Sequence, residues 1–232
     1  MPLVAWKQDL AKVYARDLHS QFKTLYANWL PDTPLKLGDF GPVNDYKIFQ
    51  ISGNITDRDY GIEFQTRGSR RETDYEYTSA HGVNVTSKAK GSSGPSGVNL
   101  KAGLEITFSR KNAIFFHAAK CSINLIANKV GVGKAIRQLI KQNMWDPKHA
   151  VVTEIVEGGA TTIITSRERN ASISLEAESE TIQQINLAKV SGGLDIKASS
   201  KVGFSEVTTQ GLQPLMELWA IQGKNLDFRP LP

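Results

Sequence analysis

Residues 98–108 read Val-Asn-Leu-Lys-Ala-Gly-Leu-Glu-Ile-Thr-Phe. Every even position, from Val98 through Leu100, Ala102, Leu104 and Ile106 to Phe108, is apolar, and every odd one is polar or glycine. A helix would scatter those six side chains around its circumference. A strand sets them on one face. Upstream, Val83-Asn84-Val85-Thr86-Ser87-Lys88-Ala89 alternates more weakly, and Gly91-Ser92-Ser93-Gly94-Pro95-Ser96-Gly97 between them holds no large apolar side chain. The pattern predicts a long amphipathic hairpin, about 81–90 against 98–108, with a flexible tip.

The rest of the chain supports a folded domain around this hairpin. Of the 232 residues 40% are hydrophobic and 22% charged, which excludes a disordered polar chain. Trp6, Leu10, Val13, Leu18, Phe22 and Leu25 recur at near-helical steps, and Pro31 and Pro34 stop the run, so residues 1–30 are read as an amphipathic helix packed on the domain. Residues 46–51 and 60–64 look like short strands. Lys129–Met144 reads as a short basic helix with Ile136, Leu139 and Ile140 on one face. Val151–Val156 and Thr161–Thr165 flank Gly158-Gly159, a hairpin signal. Ile173, Leu175 and Ala177 alternate, as do Leu194, Ile196 and Ala198. Leu215–Ile221 fits strand or helix, and 222–232 is an extended tail. The expected fold is α+β: a single domain over 35–221 with a largely antiparallel twisted sheet, an N-terminal helix and a basic helix in the middle.

Charge is unevenly spread. The net +5 conceals residues 81–148, where eleven basic groups face only Glu105 and Asp146. The flanking segments are mildly acidic. A basic segment coincident with the amphipathic hairpin points to an anionic partner, be it phospholipid, nucleic acid or an acidic protein face. A solvated face balanced by the acidic segments is the simpler structural account.

Catalytic motifs fail on inspection. Gly131-Val132-Gly133-Lys134-Ala135 resembles the end of a phosphate loop, but Asn128 stands where its first glycine belongs and Ala135 where the metal-binding hydroxyl belongs. Asp39-Phe40-Gly41 lacks the other kinase elements and reads as a turn. His19, His81, His117 and His149 show no metal-ligand spacing, and His117 reads as the cap of a core strand. Glu176, Glu178 and Glu180 alternate along one face, as a solvated sheet edge does. Cys121, the only cysteine, sits in an apolar stretch and reads as a buried small hydrophobe. Three Asn-X-Ser/Thr sequons, at Asn54, Asn84 and Asn170, carry weight only in a secreted chain. The residues thus suggest no catalytic group, metal, cofactor or small-molecule substrate. The charged N-terminus and the lack of an 18-residue apolar run suggest a soluble, cytoplasmic form.

An amphipathic hairpin with a Gly/Ser-rich tip, then a basic helix, then Val151-Val152-Thr153-Glu154-Ile155, resembles the pore-forming domain of gasdermins, where a Val-Val-Thr-Glu-Val strand follows a helical stretch. The resemblance covers about a third of the chain. It implies a soluble form that binds acidic lipid through basic patches, then oligomerises and extends hairpins into a transmembrane barrel. On this reading Val98, Leu100, Ala102, Leu104, Ile106 and Phe108 form the inserting strand. Lys88, Lys90, Arg110, Lys111, Lys134, Arg137 and Lys141 hold anionic headgroups. Two alternatives stand beside it. One is a soluble β-rich module that binds a protein partner or assembles with itself. The other is a nucleic-acid binder using the basic segment, with Phe108, Phe115 and Phe116 as stacking groups.

Overall fold

A computed structural model describes residues 5–31, 33–69, 72–94, 97–177, 195–208 and 211–232. In chain order its elements are α1 (Ala5–Phe22), β1 (Leu25–Ala27), β2 (Asp39–Pro42), β3 (Gly53–Asn54), β4 (Thr66–Gly68), β5 (Thr73–Thr78), β6 (Val83–Gly94), β7 (Gly97–Phe108) and β8 (Ile114–Ile126). Then follow α2 (Lys129–Lys141), β9 (His149–Gly158), β10 (Ala160–Ser166), β11 (Ala171–Ala177), β12 (Asp195–Ala198), β13 (Val202–Thr208), β14 (Leu212–Gln222) and β15 (Asp227–Pro230). The fold is α+β, with largely antiparallel sheet, an N-terminal helix and a basic helix in the middle.

The residues gather into two compact units, each drawn from three segments. One unit takes 1–10, 73–121 and 158–212; the other takes 11–72, 122–157 and 213–232. The chain therefore passes repeatedly from one to the other without a linker, which is why the sequence shows no compositional break.

The first unit holds two sheets. One follows the order β12-β11-β7-β6. The other sets β8 between β5 and β10, with β13 on the far side of β10. In the first sheet β6 and β7 pair without interruption over twelve positions, from Val83–Phe108 to Gly94–Gly97. The predicted hairpin is present and longer than expected. Gly91–Gly94 and Gly97, read as a loose tip, belong to the ladder, and no proline interrupts Gly91–Gly94.

Register places Val83, Phe108 and Ala171 in one cross-strand row, then Val85, Ile106, Ile173 and Ala198, then Ser87, Leu104, Leu175 and Ile196. Leu104, Ile106, Phe108, Ile173 and Leu175 are buried against Phe115, Ala119, Ala160 and Ile164 of the second sheet. Ile106, Ile173 and Leu175 are wholly buried. At about 25 cal/mol per Å² of apolar area, such side chains are the main favourable contribution to closing the two layers.

In the second unit β14 lies between β1 and β9, β2 pairs with the first part of β9, and β15 lies on the outer side of β14. Residues 122–126 of β8 pair with both β9 and β4. Helix α2 packs Val132, Ile136 and Leu139 on Phe40, Ile126, Val151 and Ile221.

Several local expectations are corrected. α1 ends at Phe22, where Lys23 takes a left-handed φ of 60° and its N–H donates to the His19 carbonyl at 2.7 Å. Leu25 is therefore a buried residue of β1, opposite Glu217, and the helix buries Leu10, Ala11, Tyr14, Ala15 and Leu18. Residues 46–51 form a turn around Lys47 closed by a single bridge between Val43 and Phe49, and 60–64 is loop that buries Ile62. Asp39-Phe40-Gly41 opens strand β2 and is no turn: buried Asp39 accepts from the Lys36 N–H at 2.8 Å and from Asn54 Nδ2 at 2.8 Å. Leu215–Ile221 lies within strand β14, and the extended tail is a paired strand, β15, followed by Leu231, whose N–H donates to Leu218 at 2.8 Å.

Gly158-Gly159 makes no hairpin. β9 and β10 are both antiparallel to β8 and follow one another along it: Glu157 lies opposite Ser122 and Ala160 opposite Ala119. The Gly159 N–H donates to the Ala119 carbonyl at 3.0 Å, and a Cβ there would meet the Lys120 carbonyl at 3.2 Å. The glycines admit this close passage beside Lys120, itself at a positive φ of 51°. His117 is no cap. It sits mid-strand in β8, buried, with Nε2 3.1 Å from the exposed Glu76 carboxylate. Leu194, Glu178 and Glu180 lie outside the described residues.

Candidate functional site

The candidate groups begin with the β6–β7 hairpin. Leu104, Ile106 and Phe108, three of the six proposed inserting residues, point into the interface between the two sheets of the first unit. The side chains of Val98, Leu100 and Ala102 lie outside the described residues. The apolar face is thus committed to the second sheet in this conformation. Its cover is incomplete at the flanks: Val85 on β6 is 37% exposed and Ile196 on β12 is 41% exposed, although both lie in register with wholly buried neighbours. The opposite face carries Asn84, Thr107 and Ser172 in one row and Thr86, Glu105, Ser174 and Lys197 in the next. In these rows one face is apolar apart from Ser87 and the other is polar.

The seven proposed headgroup ligands divide between the two units. Arg110 and Lys111 are exposed in the turn between β7 and β8. Lys88 and Lys90 pair in register with Gly103 and Lys101, and their side chains lie outside the described residues. These four belong to the first unit. Lys134, Arg137 and Lys141 belong to the second, on α2 at the i, i+3, i+7 spacing of one helical stripe. Lys134 and Lys141 are exposed; Arg137 is half-buried and its Nη1 donates to the Leu226 carbonyl at 3.1 Å. Phe108, Phe115 and Phe116, the stacking groups of the nucleic-acid reading, are all buried, which removes them from any base.

Sequence reasoning missed a charged cluster beneath α2. Lys129 at the start of the helix pairs with the Glu217 carboxylate of β14 and lies 4.6 Å from the centroid of the Trp219 ring. Glu217 also accepts from the Thr153 hydroxyl at 3.0 Å. Burial and the nearby Glu217 raise the Glu154 carboxyl above the usual range, against the opposing pull of Lys129. Thr153 and Glu154 are the polar members of the Val-Val-Thr-Glu-Ile run, whose Val151, Val152 and Ile155 are buried. The only hint in the sequence is that run itself, a charged residue inside an otherwise apolar strand.

Burial, first of all, pushes the Cys121 thiol up to about 12, which leaves it a poor nucleophile. Among the described residues no cluster of three or more His, Cys, Asp or Glu side chains suits a metal ion, and no helix is long and apolar enough to cross a membrane. No protein-family model matches the chain, and no curated protein matches it.

Proposed function

We propose that the chain is a non-enzymatic, membrane-active protein of gasdermin-like type, which binds anionic lipid and oligomerises into a β-barrel pore by extending amphipathic hairpins. One observation carries the reading. β6 and β7 are each twelve residues long and paired end to end, and in the rows described above the sheet they form with β11 and β12 has one face that is apolar apart from Ser87 and one that is polar. A membrane strand needs about 9–11 residues of such alternation. In the soluble conformation the second sheet covers that face, so insertion requires the two layers to part. The exposed cations Arg110, Lys111, Lys134 and Lys141 supply attraction to an acidic surface, of order 1 kcal/mol each near it.

The burial of Leu104, Ile106 and Phe108 favours a second reading, a soluble β-rich module that binds a protein partner or assembles with its own copies through its sheet edges. Dye-loaded vesicles separate the two. The first reading expects flotation with phosphatidylserine vesicles and dye release, both weak with phosphatidylcholine alone. A stable oligomer in lipid-free solution with no flotation or release from either vesicle establishes the second and removes the first.

A further inference from the structure

We propose that the first unit binds a soluble ligand carrying two or more clustered phosphoryl groups, at the end of its two sheets where four turns meet. The inference goes beyond the pore reading and does not rest on it. Residues 79–82, 109–113, 167–170 and 199–201 each join a strand of one sheet to a strand of the other. Three of these turns supply five cations: Arg110 and Lys111, Arg167 and Arg169, and Lys201. His81 stands in the fourth. Arg110, Lys111 and Arg169 are exposed, and Arg167 and Lys201 are half-buried. Arg167, Arg169 and Lys201 come from outside the basic segment 81–148, so only the fold assembles the group.

Hydrogen bonds tie each turn to a neighbour. Buried Ser166, at the end of β10, donates its hydroxyl to the Arg110 carbonyl at 2.7 Å and accepts from the Ala113 N–H at 2.9 Å. The Arg167 N–H donates to the Lys201 carbonyl at 2.8 Å, and the Asn170 N–H to the Phe108 carbonyl at 2.8 Å. The Ser109 N–H donates to the Gly82 carbonyl at 3.0 Å, and its hydroxyl to the His81 carbonyl at 3.0 Å. Arg110 lies along Gly82, where a Cβ would meet its Cγ at 3.2 Å and its Nε at 2.6 Å. The cations thus stand on backbone already fixed by the fold, and little backbone ordering is left for a ligand to impose.

Charge selects the ligand class. Glu168 is the one carboxylate in these turns, and it accepts from Arg167 Nη2 at 3.2 Å. Among the described residues Arg110, Lys111, Arg169 and Lys201 form no ion pair. Five cations against one carboxylate leave a formal charge of +4. At about −1.5 to −2 per phosphoryl group, at least two such groups are needed to match it. Guanidinium forks suit phosphate oxygens, which they hold bidentately. None of the four turns contains Trp, Tyr, Phe, Leu, Ile, Val or Met. A surface that docks in a bilayer adds an apolar or aromatic anchor, and one that takes single-stranded nucleic acid adds stacking rings. A small polyphosphorylated molecule needs neither.

Calorimetry with inositol hexakisphosphate, tripolyphosphate and inorganic phosphate tests the site in lipid-free solution at about 0.1 M salt. At least one of the first two is expected to bind saturably, about tenfold or more tighter than inorganic phosphate, and to weaken as salt rises. Arg169→Gln and Lys201→Gln, neither of them among the cations invoked for lipid, are each expected to weaken that binding about tenfold. Lys224→Gln removes the same charge from the second unit and is expected to leave binding within about twofold. Thermal melts show which variants have folded, and either of the first two alone decides the outcome. Absence of saturable binding, equal loss in Lys224→Gln, or unchanged binding by a folded Arg169→Gln or Lys201→Gln overturns the proposal. So does capture by phosphatidylinositol bisphosphate vesicles without binding of either free polyphosphate, which makes the partner a membrane.

Discussion

Lys129 and Glu217, separated by 88 positions in the chain, form a charge pair that fastens the first turn of α2 to strand β14. The side chains retain only 17% and 14% exposure, and Thr153 and Trp219 complete their surroundings. Removing one partner leaves a partly buried charge alone, whereas replacing both with apolar groups of similar size leaves none. Lys129→Met and Glu217→Leu are each expected to cost about 2–4 kcal/mol, and the double variant to recover most of the loss. Urea unfolding of the four proteins measures it. A double variant as unstable as the sum of the singles contradicts the account.

The same cluster sets a dependence on pH. Burial and Glu217 raise the folded Glu154 carboxyl above its unfolded value, so the folded state holds the proton more tightly. Its contribution to stability is therefore present at acid pH and lost as pH rises through and just above the ordinary carboxylate range. Glu154→Gln is expected to raise the melting temperature at pH 7 and to flatten the profile in that window. Parallel profiles for the two proteins would show that Glu154 titrates as it does when unfolded.

His19 acts in the opposite sense. Burial lowers its imidazole below the usual value, with Lys47 and Lys23 adding to the effect and the Leu25 carbonyl, 3.0 Å from Nδ1, opposing it. A base whose folded value is depressed loses stability as pH falls through the ordinary histidine range near 6.5, because the unfolded chain takes the proton more readily. His19→Gln is expected to lose less melting temperature than the parent between neutral and mildly acid pH.

Burial within the four-stranded sheet grades its substitutions. Ile106 is wholly buried and Val85, its cross-strand neighbour, is 37% exposed. Ile106→Ala is expected to cost about 2–4 kcal/mol, and Val85→Ala less than about 1 kcal/mol. Equal losses in chemical denaturation would mean that the apolar face is not covered as described.

Gly133, buried on α2, tests the packing of β15. A Cβ there would lie 2.5 Å from Phe228 Cβ. Alanine ordinarily favours a helix over glycine by about 1 kcal/mol, but overpacking costs about 1–3 kcal/mol, so the steric effect wins. Gly133→Ala is expected to destabilise the parent, and to destabilise less a chain already carrying Phe228→Ala, which removes the ring but keeps the Cβ. The smaller loss in the second background is the readout in thermal melts.

The parts that were legible in the sequence are those fixed by local periodicity. The alternation, where its side chains are described over 104–108, and the 3.6-residue pattern over 129–141 each survive in the fold, because both patterns read out as one buried face. Gly158-Gly159 misled because two glycines between strands signal a turn only when the strands pair with each other; here both pair with β8. The basic segment was legible as composition but not as a surface. Lys129 is spent on Glu217 and Arg137 on Leu226, partners that no local pattern announces.

The passage of β9 and β10 along β8 also bears on the order in which the chain folds. The β6–β7 ladder closes between neighbours in sequence, whereas β8 meets β10 only after α2 and β9 have been passed. Local hairpins form in microseconds, and non-local sheet closes far more slowly. A refolding or newly made chain thus presents its most amphipathic hairpin before the layer that shields it exists. In that interval it competes with aggregation, and chaperone capture or an early apolar surface is the better guarantee of yield than native-state stability.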